Sequence, residues 1–575
     1  MAAPAPNEAR IATKPEDEND ADSPAQVHDQ HGPSTEAEPD APEMEANPHA
    51  MHGFKLFAIF VGICFGAFLM SLDIFVIATA IPSITSDFHD TAQLAWYPAA
   101  YSLTTCALTP LAGKLSSSFP LRWIYISFFS IFMVGSLVCG FAPNSNAFIV
   151  GRAIAGIGAS GVASGGFVIV LTVSPEKSKP LLLGICSSCF AMGLILAPVI
   201  GGAFTQDTTW RWCFWVNLPP GALTLLSMLF LFKPPSIQRN KTVAQRILDL
   251  DLIGCAIFVP AVFMLLLAMM WGGTKEAWNS ATTIGLFVGS GVAFIIFVSW
   301  EGYKGEGAMV PGNVVSRRTV TFSVLFSFCH FGSVGILNYY LPEWFQVVEG
   351  ASPLQSGTRI LASVLSQIVG TLFAGFLGIL LETSRKIHYY NPWLHIGPLF
   401  MCTAAALYTH FSAIDTPSSH WIGFQVIQGL GVGMAQQMPS LIVQHTVRDK
   451  PELMPVAISL NLFFQYLGAT IMQALGGIVF RSVLYSELAD HAGLNSEQIA
   501  LLSAGGMADV RDTVEEHFPD LLRLVLEAYN TAITSTFYVA VGTTATAFFL
   551  AFGVKWERIT DKRTADAEGA DTEHK

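Results

Sequence analysis

Charged residues are scarce in this chain. Asp, Glu, Lys and Arg together make up 13% of its 575 residues, about half of the roughly 25% usual in soluble domains. Hydrophobic residues make up 52%, and no Lys or Arg occurs between Lys55 and Lys114. This composition excludes an ordinary soluble domain and predicts an all-α protein with many membrane spans, so that a lipid bilayer surrounds it.

Several chemical signals are missing. No basic patch occurs outside short loops, which excludes nucleic acid as a partner. The nine cysteines are scattered through apolar runs and predict neither a metal site nor a disulfide framework. Cys186 and Cys189 form a C-x-x-C pair, which on an apolar helix favours two packed thiols. No nucleophile elbow, metal-ligand helix or phosphate loop is found, so we expect neither an enzyme nor a cofactor.

The two ends of the chain are polar. Residues 1–52 are rich in Pro, Glu, Asp, Ala and Ser, which predicts a disordered cytosolic tail. They show no basic start followed by a short apolar core, so no cleavable signal peptide is expected. Residues 556–575 form a second predicted cytosolic tail.

The apolar runs predict fourteen transmembrane helices, each of about 20 residues or more. They cover 54–81, 93–117, 121–141, 147–172, 180–204, 211–232, 250–271, 281–300, 318–342, 354–381, 391–410, 420–444, 454–480 and 531–554. Basic residues cluster in every second loop, which predicts that both termini are cytosolic. A long extracytosolic loop is predicted at 482–530, and its segment 521–529 predicts an amphipathic helix at the membrane interface.

Asp73 is the most informative single residue. It lies inside the first apolar run, and an ionised carboxylate in hydrocarbon costs at least a few kcal/mol. We therefore predict a functional site at Asp73. The alternatives are solvation near the interface or a structural hydrogen bond.

Three further motifs contain small residues, and two of them also carry a charged residue. In the fourth span, Arg152 precedes Gly156 and Gly158, which permit close helix approach; Arg152 either needs buried partners or reaches to the interface. The fifth span carries a helix-seam or hinge motif. Its members are Gly193, Pro198, Gly201 and Gly202. The turn between the second and third spans, with Gly113 and Arg122, suits a gate or an ordinary loop.

At these residues the chain resembles the major facilitator superfamily, in its fourteen-span drug:proton antiporter branch. Within that branch, its motif sequences are most similar to those of fungal toxin-efflux pumps. The resemblance covers about residues 54–555. It implies that Asp73 and Arg152 take part in proton coupling. The sequence departs from the family pattern at some positions. Ala155 replaces the usual Gln, Ala197 a Gly, Ser117 an Asp and Pro120 a Gly.

The resemblance also implies two six-helix bundles, 53–232 and 318–555, joined by 233–317 with two linker helices. Substrate would bind between the bundles near the midplane. Polar residues of the second bundle are the lining candidates, of which about half could serve only to bridge helices. They are His330, Asn338, Gln367, Gln425, Gln428, Gln436, Gln437, Asn461, Gln465 and Gln473.

The resulting hypothesis is proton-coupled export of a hydrophobic small molecule by a monomer in the plasma membrane, with alternating access to the two sides. The alternatives are uptake or vacuolar transport of a specific solute, such as a basic amino acid or an iron chelate, and a membrane sensor that transports nothing. A cationic solute would require several cavity acids, and only Asp73 lies deep in a span.

Overall fold

Long helices dominate the structure, a computed structural model that describes residues 53–89, 93, 96–175, 178–233, 243–248, 250–273, 275–383, 391–412, 416–495, 497–499, 502 and 510–556. The predicted N-terminal tail, and all but the first residue of the predicted C-terminal tail, lie outside these residues. The helices are α1 (Phe54–Phe88), α2 (Trp96–Ser118), α3 (Leu121–Phe141), α4 (Ser145–Val173), α5 (Lys179–Asp207), α6 (Trp212–Trp215), α7 (Leu218–Phe230), α8 (Val243–Leu248), α9 (Leu252–Trp271), α10 (Ala281–Lys304), α11 (Gly312–Val315), α12 (Arg318–Val347), α13 (Pro353–Arg359), α14 (Leu361–Thr383), α15 (Asn391–Tyr408), α16 (Ser418–Ala435), α17 (Met438–Thr446), α18 (Met454–Asp490), α19 (Val510–His517) and α20 (Leu522–Ala551).

Each of the fourteen predicted spans coincides with helical structure. Eleven helices in the described part of the chain are long and apolar enough to cross a membrane. The three stretches outside that group are α2, α15 and the pair α16–α17. In α2 the hydroxyls of Thr104, Thr105 and Thr109 donate to backbone carbonyls one turn earlier, over 2.6–2.9 Å. Such bonds let a helix carry polar residues in an apolar setting.

The helices form two groups and a hairpin. In the first group α1 packs on α5, and α4 packs on α2 and α3; in the second group α12 packs on α18 and α20, while α16 packs on α14 and α15. The hairpin consists of α9 and α10. The two groups meet where α2 contacts α18 and where α5 contacts α14.

Two predicted spans are broken next to a polar residue. The span 211–232 consists of α6 and α7, which meet at Asn217, and the span 420–444 consists of α16 and α17, which meet at Gln436 and Gln437. In both cases the second helix begins with a Pro in its first turn. A Pro is favoured there because the first backbone N–H groups of a helix have no partner within the helix.

The predicted interfacial helix at 521–529 is wrong. This segment belongs to the first turns of the long helix α20, and Val525, Ala528 and Tyr529 are buried in the core of the second group. Within the predicted extracytosolic loop 482–530, α18 continues to Asp490 and α20 begins at Leu522. The amphipathic pattern reflects a helix end packed against protein, since α19 also contacts α20.

Candidate functional site

Asp73 of α1 and Arg152 of α4 form a buried ion pair. The exposed fraction of the side chain is 0% for Asp73 and 1% for Arg152. Nη1 of Arg152 donates to Oδ2 of Asp73 and, over 3.3 Å, to its backbone carbonyl. The guanidinium therefore does not reach the interface, and that alternative is wrong. The carboxylate is also buried, which rules out solvation near the interface.

Three other helices complete the environment of the pair. Nδ2 of Asn217, at the α6–α7 break, donates to Oδ1 of Asp73 over 3.1 Å and to Oγ of Ser136 over 3.3 Å. Nε of Arg152 donates to the carbonyl of Tyr97 in α2 over 3.1 Å. The ring of Tyr101 lies 4.6 Å from the guanidinium carbon. Both charges are thus held by hydrogen bonds and an aromatic face, as burial of charge requires.

Asn217 is a site residue that the sequence analysis missed. Its side chain is fully buried, and its Oδ1 has no hydrogen-bond partner among the described residues. A spare acceptor next to a carboxylate can receive a hydrogen bond from the protonated acid, which the ionised acid cannot donate. The sequence signal was an Asn followed by Leu218-Pro219 inside an apolar run.

The glycines of α4 bring three helices together. A Cβ at Gly156 would lie 2.1 Å from Oγ1 of Thr104 in α2. A Cβ at Gly158 would lie 2.2 Å from the backbone nitrogen of Phe132 in α3. These contacts agree with the prediction of close helix approach at both positions. They hold α4, and with it Arg152, against α2 and α3.

The predicted helix-seam or hinge motif of the fifth span, now in α5, contacts two neighbouring helices. Cβ atoms at Gly193 and Gly201 would collide with α1, at 2.7 Å from the carbonyl of Phe68 and 2.1 Å from Oγ1 of Thr79 respectively. Pro198 instead approaches Gly357 of α13, in the second group, at 3.6 Å from its Cβ position. Gly202 faces open space, with nothing within 4 Å. The motif is therefore mainly a seam with α1, with a contact to the second group at Pro198.

A cavity of about 110 Å³ lies between the two groups of helices. Its wall is mostly apolar and is built from α1, α4, α5, α12, the α16–α17 break and α18. The apolar lining includes Ile63, Ala67, Met70, Val162, Phe167, Phe190, Phe331 and Leu462. The polar lining is Ser187, Gln436, Gln437, Gln465 and Tyr466. None of the described residues that line the cavity is charged.

The predicted lining residues fall into those that line the cavity and those that do not. Gln436, Gln437 and Gln465 line the cavity. Gln367 donates to Gln436 over 2.7 Å and so lies one layer behind it. The aromatic wall and Ser187 could not be singled out from the sequence, because apolar and small residues of spans carry no distinguishing signal.

The other candidates lie outside the described cavity wall. Gln425 accepts a bond from the backbone of Ser363, and Gln428 accepts one from the hydroxyl of Tyr408, so both bridge helices. Asn461 likewise bonds to two serines of neighbouring helices. The remaining three are His330, which is buried and stacks on Phe326, and the partly buried Asn338 and Gln473.

Below the cavity, the two groups touch on the side where α2 ends and α18 begins, which the sequence predicts to be cytosolic; we call it the inner side. A Cβ at Gly113 would lie 1.8 Å from Oγ of Ser459 in α18. A Cβ at Gly375 of α14 would lie 3.1 Å from Cα of Leu181 in α5. Both helix pairs are thus closed at this side.

Of the two predicted gate residues, Gly113 lies at this contact. Arg122 does not contact the second group in any described bond. Its Nη2 donates to the carbonyl of Leu229, which ties α3 to α7 within the first group.

The sequence matches the description "Major Facilitator Superfamily" over residues 63–473. The chain belongs to this superfamily. Its curated relatives include "MFS-type transporter poxA" of Penicillium oxalicum, 41% identical over 516 residues that cover 89% of this chain and 90% of the relative. "Efflux pump mlcE" of Penicillium citrinum is 37% identical over 526 residues, 90% of this chain and 93% of the relative. "MFS-type efflux pump MFS1" of Trichophyton rubrum is 36% identical over 517 residues, 90% and 94%.

A solved structure supports the same fold. The human organic anion transporter MFSD10 (TETRAN) has a TM-score of 0.53 to this chain at 13% identity, over 87% of this chain and 100% of that one. At this identity the likeness shows the fold alone. The chain is therefore a multi-pass membrane transporter of the major facilitator superfamily, related to fungal efflux pumps, and the superfamily consists of transporters rather than enzymes.

Proposed function

We propose that this major facilitator protein exports an uncharged lipophilic small molecule in exchange for protons. The observation that carries the proposal is the buried Asp73–Arg152 pair beside an uncharged cavity. Intramembrane ion pairs are costly, and they usually mark proton or ion pathways. The efflux-pump names of two relatives support the export direction.

In the predicted orientation, a proton from outside would reach the ion pair before the cavity. Met70, one turn before Asp73 on α1, lines the cavity. On α4 the order is reversed: Arg152 lies near the start of the helix, and the lining residues Val162 and Gly166 follow it. In the predicted orientation, the ion pair thus lies between the cavity and the outer surface.

Protonation of Asp73 would change how α1 is held to α4. Neutral Asp73 loses the charge attraction of Arg152, whereas Arg152 stays charged and keeps the carbonyl of Tyr97. Nδ2 of Asn217 now faces the carboxylate, and rotation of this amide would bring its unpartnered Oδ1 to the new O–H. Protonation would therefore replace the attraction between Asp73 and Arg152 by a hydrogen bond from Asp73 to Asn217. Such a change in the contacts between helices is what a coupled conformational change requires.

The cavity chemistry supports the substrate class. Its aromatic and aliphatic wall suits an apolar body, and Ser187, Gln437 and Gln465 offer hydrogen bonds to a polar group of the ligand. A cation would need a carboxylate, and none of the described lining residues supplies one. At about 110 Å³ the cavity is smaller than the roughly 300–1,000 Å³ of drug-sized sites, so the two helix groups must separate to admit substrate.

We further propose that the protein acts as a monomer in the plasma membrane.

The decisive experiment measures efflux of fluorescent lipophilic compounds and fungal secondary metabolites from cells that express the chain, with and without a protonophore. We expect export of uncharged compounds that collapses when the proton gradient is dissipated. Export that persists under the protonophore contradicts antiport, and absence of any export from cells with the protein at their surface contradicts the efflux function.

A further inference from the structure

The hairpin α9–α10 leads into the second helix group through a turn at Gly305–Val310, and this turn binds a lysine of the first group. Lys114, next to Gly113 on α2, has only 7% of its surface exposed. Its Nζ donates to the carbonyl of Ala308 over 2.5 Å, and it lies 3.4 Å from the carbonyl of Gly307. The backbone of the turn is therefore a ligand for a buried ammonium group.

Two carboxylates hold the opposite side of the same turn. Oδ2 of Asp251 accepts the N–H of Met309 over 3.0 Å. Oε1 and Oε2 of Glu301 accept the N–H groups of Met309 and Val310 over 3.2 and 2.8 Å. The peptide groups thus point their carbonyls at the ammonium group and their N–H groups at carboxyl oxygens, which is the favourable orientation of their dipoles.

Asp251 is itself strongly fixed. It adopts a left-handed backbone conformation, with a φ of 52°, which is uncommon outside glycine. Its Oδ1 accepts bonds from the backbone of Gly254 over 3.2 Å and from Nε1 of Trp300 over 2.8 Å. The turn is therefore anchored to the ends of both hairpin helices.

The inner end of α2 consequently contacts both α18 and the turn Gly305–Val310. Gly113 abuts α18 at Ser459, and the next residue, Lys114, holds the turn that leads into α11 and α12. Ser117 stands where the family resemblance implies an Asp, so this position carries no negative charge for a gate. Lys114 supplies a buried polar contact between α2 and the turn, and Val310 of the turn packs against core residues of the second group.

We propose that Lys114 is a positioning residue of the inner gate, and that its bonds to the turn Gly305–Val310 keep α2 closed on α18. When the inner side opens, Lys114 must leave these carbonyls or pull the turn with it, because the turn is continuous with the second group. The inference goes beyond the proposed function, since it requires neither proton coupling nor a particular substrate.

The test measures opening at the α2–α18 contact directly. Ser459→Cys places a thiol against Gly113, and its rate of reaction with N-ethylmaleimide is read by peptide mass spectrometry, which separates it from the native cysteines. The full-length protein is used in lipid nanodiscs. We expect Lys114→Met to raise this rate about tenfold, because it removes charge-assisted bonds from the closed state.

Two comparison variants separate gating from general damage. Lys304→Ala removes an exposed lysine at the edge of the same turn and is expected to leave the labelling rate unchanged. Lys114→Arg keeps a positive charge and donors, and should hold the rate within about threefold of the Ser459→Cys parent. If only the methylene chain of Lys114 mattered, Lys114→Met, which keeps an unbranched aliphatic chain, would leave the labelling rate unchanged.

Equal rates in the Lys114→Met and Lys304→Ala proteins would overturn the proposal. If Lys114→Met does not give monodisperse protein, Glu301→Gln decides instead. Gln keeps one acceptor for the turn but loses the charge and the second acceptor, so it should raise the rate about threefold. An unchanged rate in Glu301→Gln would then reject the proposed role of the turn.

Discussion

Asp73 and Arg152 are separated by 79 positions in the chain, yet they form one ion pair with essentially no exposed surface. The pair connects the first helix of the fold to the fourth. A buried ion pair contributes little net stability, whereas the loss of one partner is costly. Variants of this pair are therefore expected to affect transport and stability differently.

Replacement of Asp73 by Asn tests the proton-coupling role. Asn keeps the size of the side chain and one acceptor oxygen, but it carries no charge and cannot bind and release a proton in the working range. We expect Asp73→Asn to reduce proton-driven efflux by about tenfold or more with the protein still in the membrane. The measurement is efflux at equal surface expression. Ser71→Ala is a matched control on the same helix, since the Ser71 hydroxyl is buried without a partner among the described residues. Full efflux by Asp73→Asn would remove Asp73 from coupling.

Removal of Arg152 alone leaves a buried carboxylate without its cation. We expect Arg152→Met to destabilise the protein by about 3–5 kcal/mol, and the double variant Asp73→Asn/Arg152→Met to recover most of this loss. Unfolding monitored in detergent for both single variants and the double variant gives the coupling. Strictly additive effects would show that the two side chains do not act as a pair.

Two glycines of α5, nine residues apart, predict different results. A methyl group at Gly193 would lie 2.7 Å from the backbone carbonyl of Phe68, so α1 and α5 must separate. We expect Gly193→Ala to cost about 1–3 kcal/mol and to impair transport. Gly202→Ala meets open space and gains helix propensity, so it should be neutral or stabilising. Thermal melting of both variants checks this, and similar melting temperatures would contradict the α1–α5 seam.

The ion pair at the end of α1 predicts a pH dependence of stability. Arg211 donates to Asp87 over 2.8 Å and holds the pKa of Asp87 below its ordinary value of 3.8. A depressed pKa stabilises the fold above the ordinary pKa, and this contribution is lost as pH falls through the folded-state value. Both side chains are partly exposed, so the contribution is below about 1 kcal/mol.

Asp87→Asn should therefore lower the melting temperature by a constant, small amount from pH 8 to 5, and the difference should shrink below about pH 4. The control is Glu516→Gln, an exposed acid of α19 with no ion pair in the part of the chain that the structure describes. A difference that grows as the pH falls would have the wrong sign for this pair.

Much of the architecture could be predicted from the order of residues. Apolar runs of about 20 residues can only be membrane spans or buried helices, so length and hydropathy located helices in all fourteen stretches. An acid in such a run is unusual enough to identify Asp73 without any partner in view. The family motifs then indicated Arg152 and the glycines of α4.

The partner of Arg152 could not be predicted, because a helix of unknown rotation can direct a long side chain to the interface or to several neighbours. The breaks at Asn217 and at Gln436–Gln437 were also missed, since each lies inside a run that is long enough to form one membrane span. These breaks direct Asn217 to Asp73 and two glutamines into the cavity.

Sequence by itself determined which segments enter the membrane and which polar residues they carry, because these depend on local transfer free energies. Only the tertiary structure decided which polar residues meet. Gln428 and Gln465 have the same chemistry, yet one bonds to Tyr408 within its group and the other lines the cavity. That difference follows from helix rotation, which close packing at Gly156, Gly193 and the other small residues sets, and no one-dimensional pattern contains it.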